Sequence, residues 1–281
     1  MELHCVNLYD YFSQTKPENG NGELICYCTH TTREITRRRK RPAVLVIPGG
    51  GYCMVSERES EPVALRYLIH GYVPFVLRYS CVPNKFPVQL REAAMAMRYI
   101  REHAEEFEVD PNMVAAVGFS AGGHLCGTLG TMYDCPEVAD IGDAALIRPN
   151  ALGLCYAVLL EWGITHSATM ENVSGGDPDL RRRLSVDKQV RPDMPPVFLW
   201  HTRNDQTVPC RNSLIFAQKL DEIGVEFALH LYNCGDHGLS LANDQVYGAV
   251  NPLTKHSQEI HNWVENCVEF WREVGLNITD M

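Results

Sequence analysis

The chain has 281 residues, of which 45% are hydrophobic and 21% charged, and carries a formal net charge of -10. Length and apolar content suit a single core-forming domain over residues 1–281, and exclude collagen, coiled-coil and disordered chains. The acidic balance argues against nucleic acid as a partner, because phosphate contacts need a basic face.

The basic run Arg37, Arg38, Arg39, Lys40 and Arg41 reads as a solvated loop before a buried strand. The 11 cysteines are odd in number and scattered, which fits reduced, mostly buried small side chains. Cys26 and Cys28 are spaced C-x-C with no second pair nearby, so neither a metal nor a cofactor is expected. Met1 to Phe12 lacks a basic segment followed by an apolar run, and no stretch reaches the length of a membrane span. No signal peptide and no membrane partner are expected, and a cytoplasmic location follows as the expectation. Nothing in the sequence fixes an oligomeric state.

Glu2 to Tyr9 and Glu23 to Thr29 read as strands around a turn at Pro17, Asn19, Gly20, Asn21 and Gly22. Whether residues 1–41 extend a sheet or serve an interface is open at this point. Ala43 to Ile47 is a short continuous apolar run, as in a strand buried on both faces, and it ends at Pro48-Gly49-Gly50-Gly51. Ser56 with Glu59 three residues on predicts a capping box for a helix whose apolar face is Val63, Leu65, Leu68 and Ile69, ended by Gly71. Val73 to Tyr79 is the next strand and Pro87 to Phe107 a long helix. A turn at Asp110-Pro111 leads into a buried strand, Met113 to Val117, and a helix, Gly122 to Tyr133. Ala151 to Leu160 reads as a strand. Residues 161–196 form an irregular excursion with Gly175-Gly176-Asp177-Pro178 and Pro192, Pro195 and Pro196. Val197 to Thr202 is a strand, Arg211 to Ile223 a helix, Phe227 to Tyr232 a strand and His256 to Val274 the closing helix.

Strands alternating with helices predict an α/β fold: a doubly wound, mostly parallel sheet of about eight strands with helices on both faces. The excursion is too short for more than a small lid. Such sheets place their sites beyond the carboxyl ends of the strands, where four motifs fall.

Gly118-Phe119-Ser120-Ala121-Gly122 matches G-x-S-x-G, in which a strand turns sharply into a helix and exposes a strained serine at the helix N-terminus. The predicted strand before it and helix after it are the context that motif requires, and Ser120 is the candidate nucleophile. Pro48-Gly49-Gly50-Gly51-Tyr52 can bring backbone N–H groups close to a developing oxyanion. Gly50 or Gly51, with the N–H of Ala121, are the candidate donors; no Gly-Lys-Ser/Thr or dinucleotide fingerprint favours phosphate instead. Asp205, in the loop after Val197 to Thr202, can orient a histidine, with Asp177 and Asp187 as weaker rivals. His237, between Gly235-Asp236 and Gly238, is the candidate base; His230 lies within a strand and His201 at a strand end. Tyr52, His124 and Trp162 are candidates for the substrate-facing wall.

The order Ser120, Asp205, His237 is that of α/β-hydrolases, and differs from the chymotrypsin and subtilisin orders. From about Ala43 onward the chain resembles the α/β-hydrolase esterases related to acetylxylan and feruloyl esterases, called BD-FAE-like. The resemblance rests on Pro-Gly-Gly-Gly-Tyr at 48–52, Leu77-Arg78-Tyr79-Ser80, Gly-Phe-Ser-Ala-Gly-Gly-His-Leu at 118–125, Pro-Pro-Val-Phe-Leu-Trp-His-Thr at 195–202 and Asp236-His237-Gly238. It implies hydrolysis of short acyl esters of sugars or other alcohols, so that the expected partner is a small-molecule or oligosaccharide ester. The chain is similar, more distantly, to prolyl-oligopeptidase catalytic domains, which keeps a peptidase or lactonase as an alternative, with a non-catalytic binding protein behind both.

Overall fold

A computed structural model describes residues 2–29, 34, 39–161, 163–247, 257–277 and 279–280. Its main strands are β1 (Glu2–Asn7), β2 (Glu23–Cys28), β3 (Arg39–Ile47), β4 (Val73–Arg78), β5 (Val109–Phe119), β6 (Leu152–Cys155), β7 (Val197–Thr202) and β8 (Phe227–Tyr232). They hydrogen-bond in the order β1-β2-β4-β3-β5-β6-β7-β8. From β4 across to β8 all neighbours are parallel, whereas β2 is antiparallel to β4 and β1 to β2. Residues 2–7 and 23–28 therefore extend the sheet. A two-residue strand, β9 (Thr279–Asp280), runs antiparallel to the start of β3.

Alternate side chains of each central strand enter different cores, which is what period-two geometry dictates. Ala43, Leu45 and Ile47 of β3 join Val114 and Ala116 of β5 and Val197 and Leu199 of β7 against the helices Val88–Glu102, Ala121–Met132 and Arg211–Ile223. Val44, Val46, Ala115, Val117, Phe198 and Trp200 face the other way, onto the helices Glu61–Ile69 and Trp263–Glu273. The second core is aromatic: Trp200 stacks on Trp263 with ring centroids 5.6 Å apart, and Tyr67 on Trp271 at 5.4 Å. Among the described residues no helix is long and apolar enough to cross a membrane.

The chain departs from β3 toward β4 on one side and then crosses back to β5 on the other. The ends of β3 and β5 thus flank the point where strand order reverses, the position at which open α/β sheets build their sites.

Several elements differ from expectation for local reasons. The Ser56–Glu59 capping box does not form: Ser56 makes no side-chain cap, the helix begins at Glu61 after Ser60, and Glu59 is buried. The strand expected over Ala151 to Leu160 stops at Cys155, because Tyr156 takes φ +37° and leaves the pleat. Asp110-Pro111 lies inside β5, absorbed by a register shift opposite Arg41 to Ala43. The long helix ends at Glu102. The closing helix begins at Trp263 after a turn at Gln258–Asn262; His256 lies outside the described residues. The excursion holds two helices, Ser167–Ser174 and Pro178–Arg183.

Candidate active site

Ser120 sits at the hinge between β5 and the helix Ala121–Met132 with φ 51° and ψ -116°, a strained backbone for a non-glycine residue. The turn holds because the helix start is pressed onto the end of β3. A Cβ on Gly122 would collide with the carbonyl oxygens of Ile47 and Pro48, so glycine alone fits there.

The loop after β8 brings His237 to the serine, with Nε2 2.9 Å from Ser120 Oγ. Its Nδ1 lies 2.7 Å from Asp205 Oδ2. Asp205 is buried, and its Oδ1 accepts the N–H groups of Thr207 and Val208 at 2.9 Å each. Burial pushes its carboxyl upward. Hydrogen bonding toward His201 and His237, the His237 charge and the Val208 N–H outweigh burial and hold the carboxyl well below the ordinary range. An ionised Asp205 favours the His237 tautomer with its proton on Nδ1, which leaves Nε2 free to accept a hydrogen bond from Ser120 Oγ.

Most backbone polar groups of residues 48–52 are hydrogen-bonded. Tyr79 OH donates to Pro48 O at 2.8 Å, Ser56 N to Gly49 O at 3.0 Å, Cys53 N to Gly50 O at 2.9 Å and Asn172 Nδ2 to Gly51 O at 2.8 Å. Gly49 N donates to Glu59 Oε2 at 2.7 Å. Among the described residues the N–H groups of Gly50, Gly51 and Ala121 have no such acceptor. Gly50 holds φ +125°, which a side chain would resist. Free N–H groups on a fixed loop, beside one at a helix N-terminus, are suited to an oxyanion.

Tyr52 and His124 do not form a substrate wall, which corrects the expectation from sequence. Both are enclosed, and the Tyr52 hydroxyl donates to His124 Nδ1 at 2.8 Å while His124 Nε2 donates to Leu184 O at 2.8 Å. Burial drives the His124 imidazole down to about 4, so it stays neutral and serves as a structural link. Trp162 lies outside the described residues. The rivals of Asp205 and His237 have structural partners. Asp177 caps the helix Pro178–Arg183, Asp187 accepts from Ser185 Oγ, and buried His201 is held by Ser213 Oγ and Val208 O at 2.8 Å each.

Residues that sequence reasoning missed stand around this centre. Tyr156 presents its ring edge-on to His237 at 5.1 Å between centroids. His166 lies near enough to feel the charges of His237 and Asp205; burial and His237 lower it, Asp205 opposes them, and its Nδ1 is 2.8 Å from Thr169 Oγ1. Among the described residues no group of three His, Cys, Asp or Glu is arranged to hold a metal ion.

Residues 33–152 match the BD-FAE family and residues 152–264 the prolyl oligopeptidase family. The chain is also similar over its length to the acetyl ester-xyloside bifunctional hydrolase of Caldicellulosiruptor lactoaceticus. That structure shares 32% identity, with 97% of each chain covered and a TM-score of 0.82. The chain belongs to the α/β-hydrolases. Among further relatives of this chain, endo-1,4-beta-xylanase B of Butyrivibrio fibrisolvens is 36% identical over 219 residues, 74% of this chain and 34% of that protein. An acetylxylan esterase of Xylanibacter ruminicola is 25% identical over 268 residues, 91% of this chain and 50% of that protein. The chain thus spans half or less of the length of these two relatives.

Proposed function

We propose that this chain is a serine hydrolase of short-chain carboxylic esters, acting on acetyl groups carried by sugars or xylan-derived oligosaccharides. The observation that carries the reading is the unbroken relay from Ser120 Oγ through His237 to Asp205 beside unoccupied backbone donors. The acetyl and xylan part draws on the names of the Caldicellulosiruptor and Xylanibacter relatives.

In this reading His237 Nε2 takes the Ser120 proton as Oγ attacks the ester carbonyl. The carbonyl oxygen becomes an oxyanion facing the N–H of Ala121 and that of Gly50 or Gly51. His237 then returns its proton to the departing alcohol, leaving an acyl-serine. Water, deprotonated by His237, releases the acid and restores Ser120. Among the described residues of 161–196 the helices are short, in keeping with a small lid and water-dissolved short-chain esters. Burial of Cys26, Cys126, Cys155 and Cys267 as apolar side chains, with the odd total, supports a cytoplasmic setting for the reaction.

The test is hydrolysis of a chain-length series of p-nitrophenyl esters and of acetylated xylo-oligosaccharides by wild type and Ser120→Ala. Serine-dependent release from the acetate and the acetylated sugars is expected. Aryl ester cleavage alone would remove the carbohydrate assignment. Serine-dependent cleavage of amides in place of esters would favour the peptidase alternative, which the prolyl oligopeptidase match over residues 152–264 motivates.

A further inference from the structure

Glu59 is only 3% exposed and, among the described residues, forms no ion pair with lysine or arginine. Both of its oxygens are used, and they are used on different halves of the site. Oε2 accepts Gly49 N–H at 2.7 Å, immediately before the free N–H groups of Gly50 and Gly51. Oε1 accepts the Tyr156 hydroxyl at 2.7 Å. That hydroxyl in turn accepts Ser240 N–H at 2.9 Å, three residues beyond His237, and the Tyr156 ring stands against the His237 ring. One carboxylate therefore joins the loop after β3 to the loop after β8, which are separated in sequence by most of the sheet.

Taking a carboxylate out of water costs several kcal/mol. A neutral amide could tie one N–H to the fold at lower cost. It could not accept from both sides, because a glutamine has one acceptor oxygen and its NH₂ opposite Tyr156 would leave the Tyr156 O–H without the acceptor it donates to. The demand for two acceptors on one rigid group is what glutamate meets here.

We infer that Glu59 is a positioning residue, holding the oxyanion loop and the His237 loop in one fixed relation and so setting the rate of the serine reaction without touching substrate. The inference rests on the ester-hydrolase reading of the site. It predicts a loss in the chemical step, since displacing reacting groups by about 1 Å is worth up to about a hundredfold in rate.

The experiment compares wild type, Ser120→Ala, Glu59→Gln, Tyr156→Phe and the Glu59→Gln/Tyr156→Phe pair on p-nitrophenyl acetate. Inhibition by phenylboronic acid, which forms a tetrahedral adduct on serine, is measured alongside, and circular dichroism checks the fold. Glu59→Gln should lower kcat about ten- to a hundredfold with KM within about threefold, and weaken boronate inhibition in parallel. Tyr156→Phe, which cuts one arm, should lower kcat by about three- to tenfold, and the pair should lose no more than Glu59→Gln alone. A folded Glu59→Gln with wild-type kcat, or with only KM raised, overturns the inference whatever its melting temperature. If Glu59→Gln does not fold, wild-type kcat in Tyr156→Phe overturns it. Undiminished turnover in Ser120→Ala would bring down the ester-hydrolase reading and this inference together, which separates that failure from the others.

Discussion

Glu92 should make the protein less stable as the solution becomes more alkaline, and Glu92→Gln should remove that dependence. The side chain leaves the helix Val88–Glu102 and is fully buried. Its Oε1 accepts from the Tyr9 hydroxyl at 2.8 Å and from the Ser80 hydroxyl, and its Oε2 from Ser80 N–H at 2.6 Å. Burial pushes the carboxyl from 4.5 up to about 7, against the opposing pull of those hydrogen bonds. A carboxyl whose folded pKa exceeds its unfolded value contributes in full below the unfolded value and loses that contribution as pH rises through the folded one. The difference between 4.5 and about 7 corresponds to about 3 kcal/mol, at about 1.36 kcal/mol per factor of ten. Urea unfolding of wild type and Glu92→Gln, followed by tryptophan fluorescence from about pH 5 to about pH 8, isolates this group because all others titrate in both proteins. Because part of the loss falls below about pH 5, the stability difference should move by about 2.5 kcal/mol in favour of the variant across that range. A difference that stays constant with pH would refute the reasoning.

Asp205→Asn should reduce kcat by about a thousandfold or more with a small change in KM. The amide would face His237 Nδ1 with a donor and drive the ring proton onto the nitrogen that must accept from Ser120. An unchanged kcat would show that another group orients the imidazole. Gly122→Ala should lower thermal stability by about 3 kcal/mol and abolish turnover, since its Cβ meets backbone oxygens that cannot move aside; a wild-type melting temperature would contradict the packing described. Asn172→Ala frees the Gly51 carbonyl from its 2.8 Å hydrogen bond. It should cut kcat by about three- to tenfold, a change that steady-state kinetics on p-nitrophenyl acetate will register; equal kcat would remove Asn172 from the support of the oxyanion loop.

The continuous apolar runs made the central strands legible. Ala43 to Ile47 and Met113 to Val117 are buried on both faces and admit no surface reading. Ser120, Asp205 and His237 were legible as candidates because sharp strand ends need glycine and polar residues that stand out against those runs. Glu59 was not. It lies in Ser56-Glu57-Arg58-Glu59-Ser60-Glu61, where charge density points to a solvated helix start, and nothing local tells that one glutamate of three turns inward. His124 was misplaced for a geometric reason. Four residues beyond Ser120 it lies on nearly the same helix face but one turn deeper, so it points into packed protein under the site. Tyr156 was hidden because an apolar segment masked the break in the strand that turns its hydroxyl toward Glu59.

The contact between Ser120 and His237 spans 117 residues of sequence. Synthesis proceeds from the N-terminus, and domains begin to form as they emerge. A growing chain therefore displays the serine turn and the glycine loop well before the strands that present Asp205 and His237. Without its base, a serine hydroxyl is a weak nucleophile. In the proposed reaction, reactivity toward esters therefore arrives with the last third of the sheet, and a molecule lacking those strands should be chemically quiet even with Ser120 exposed.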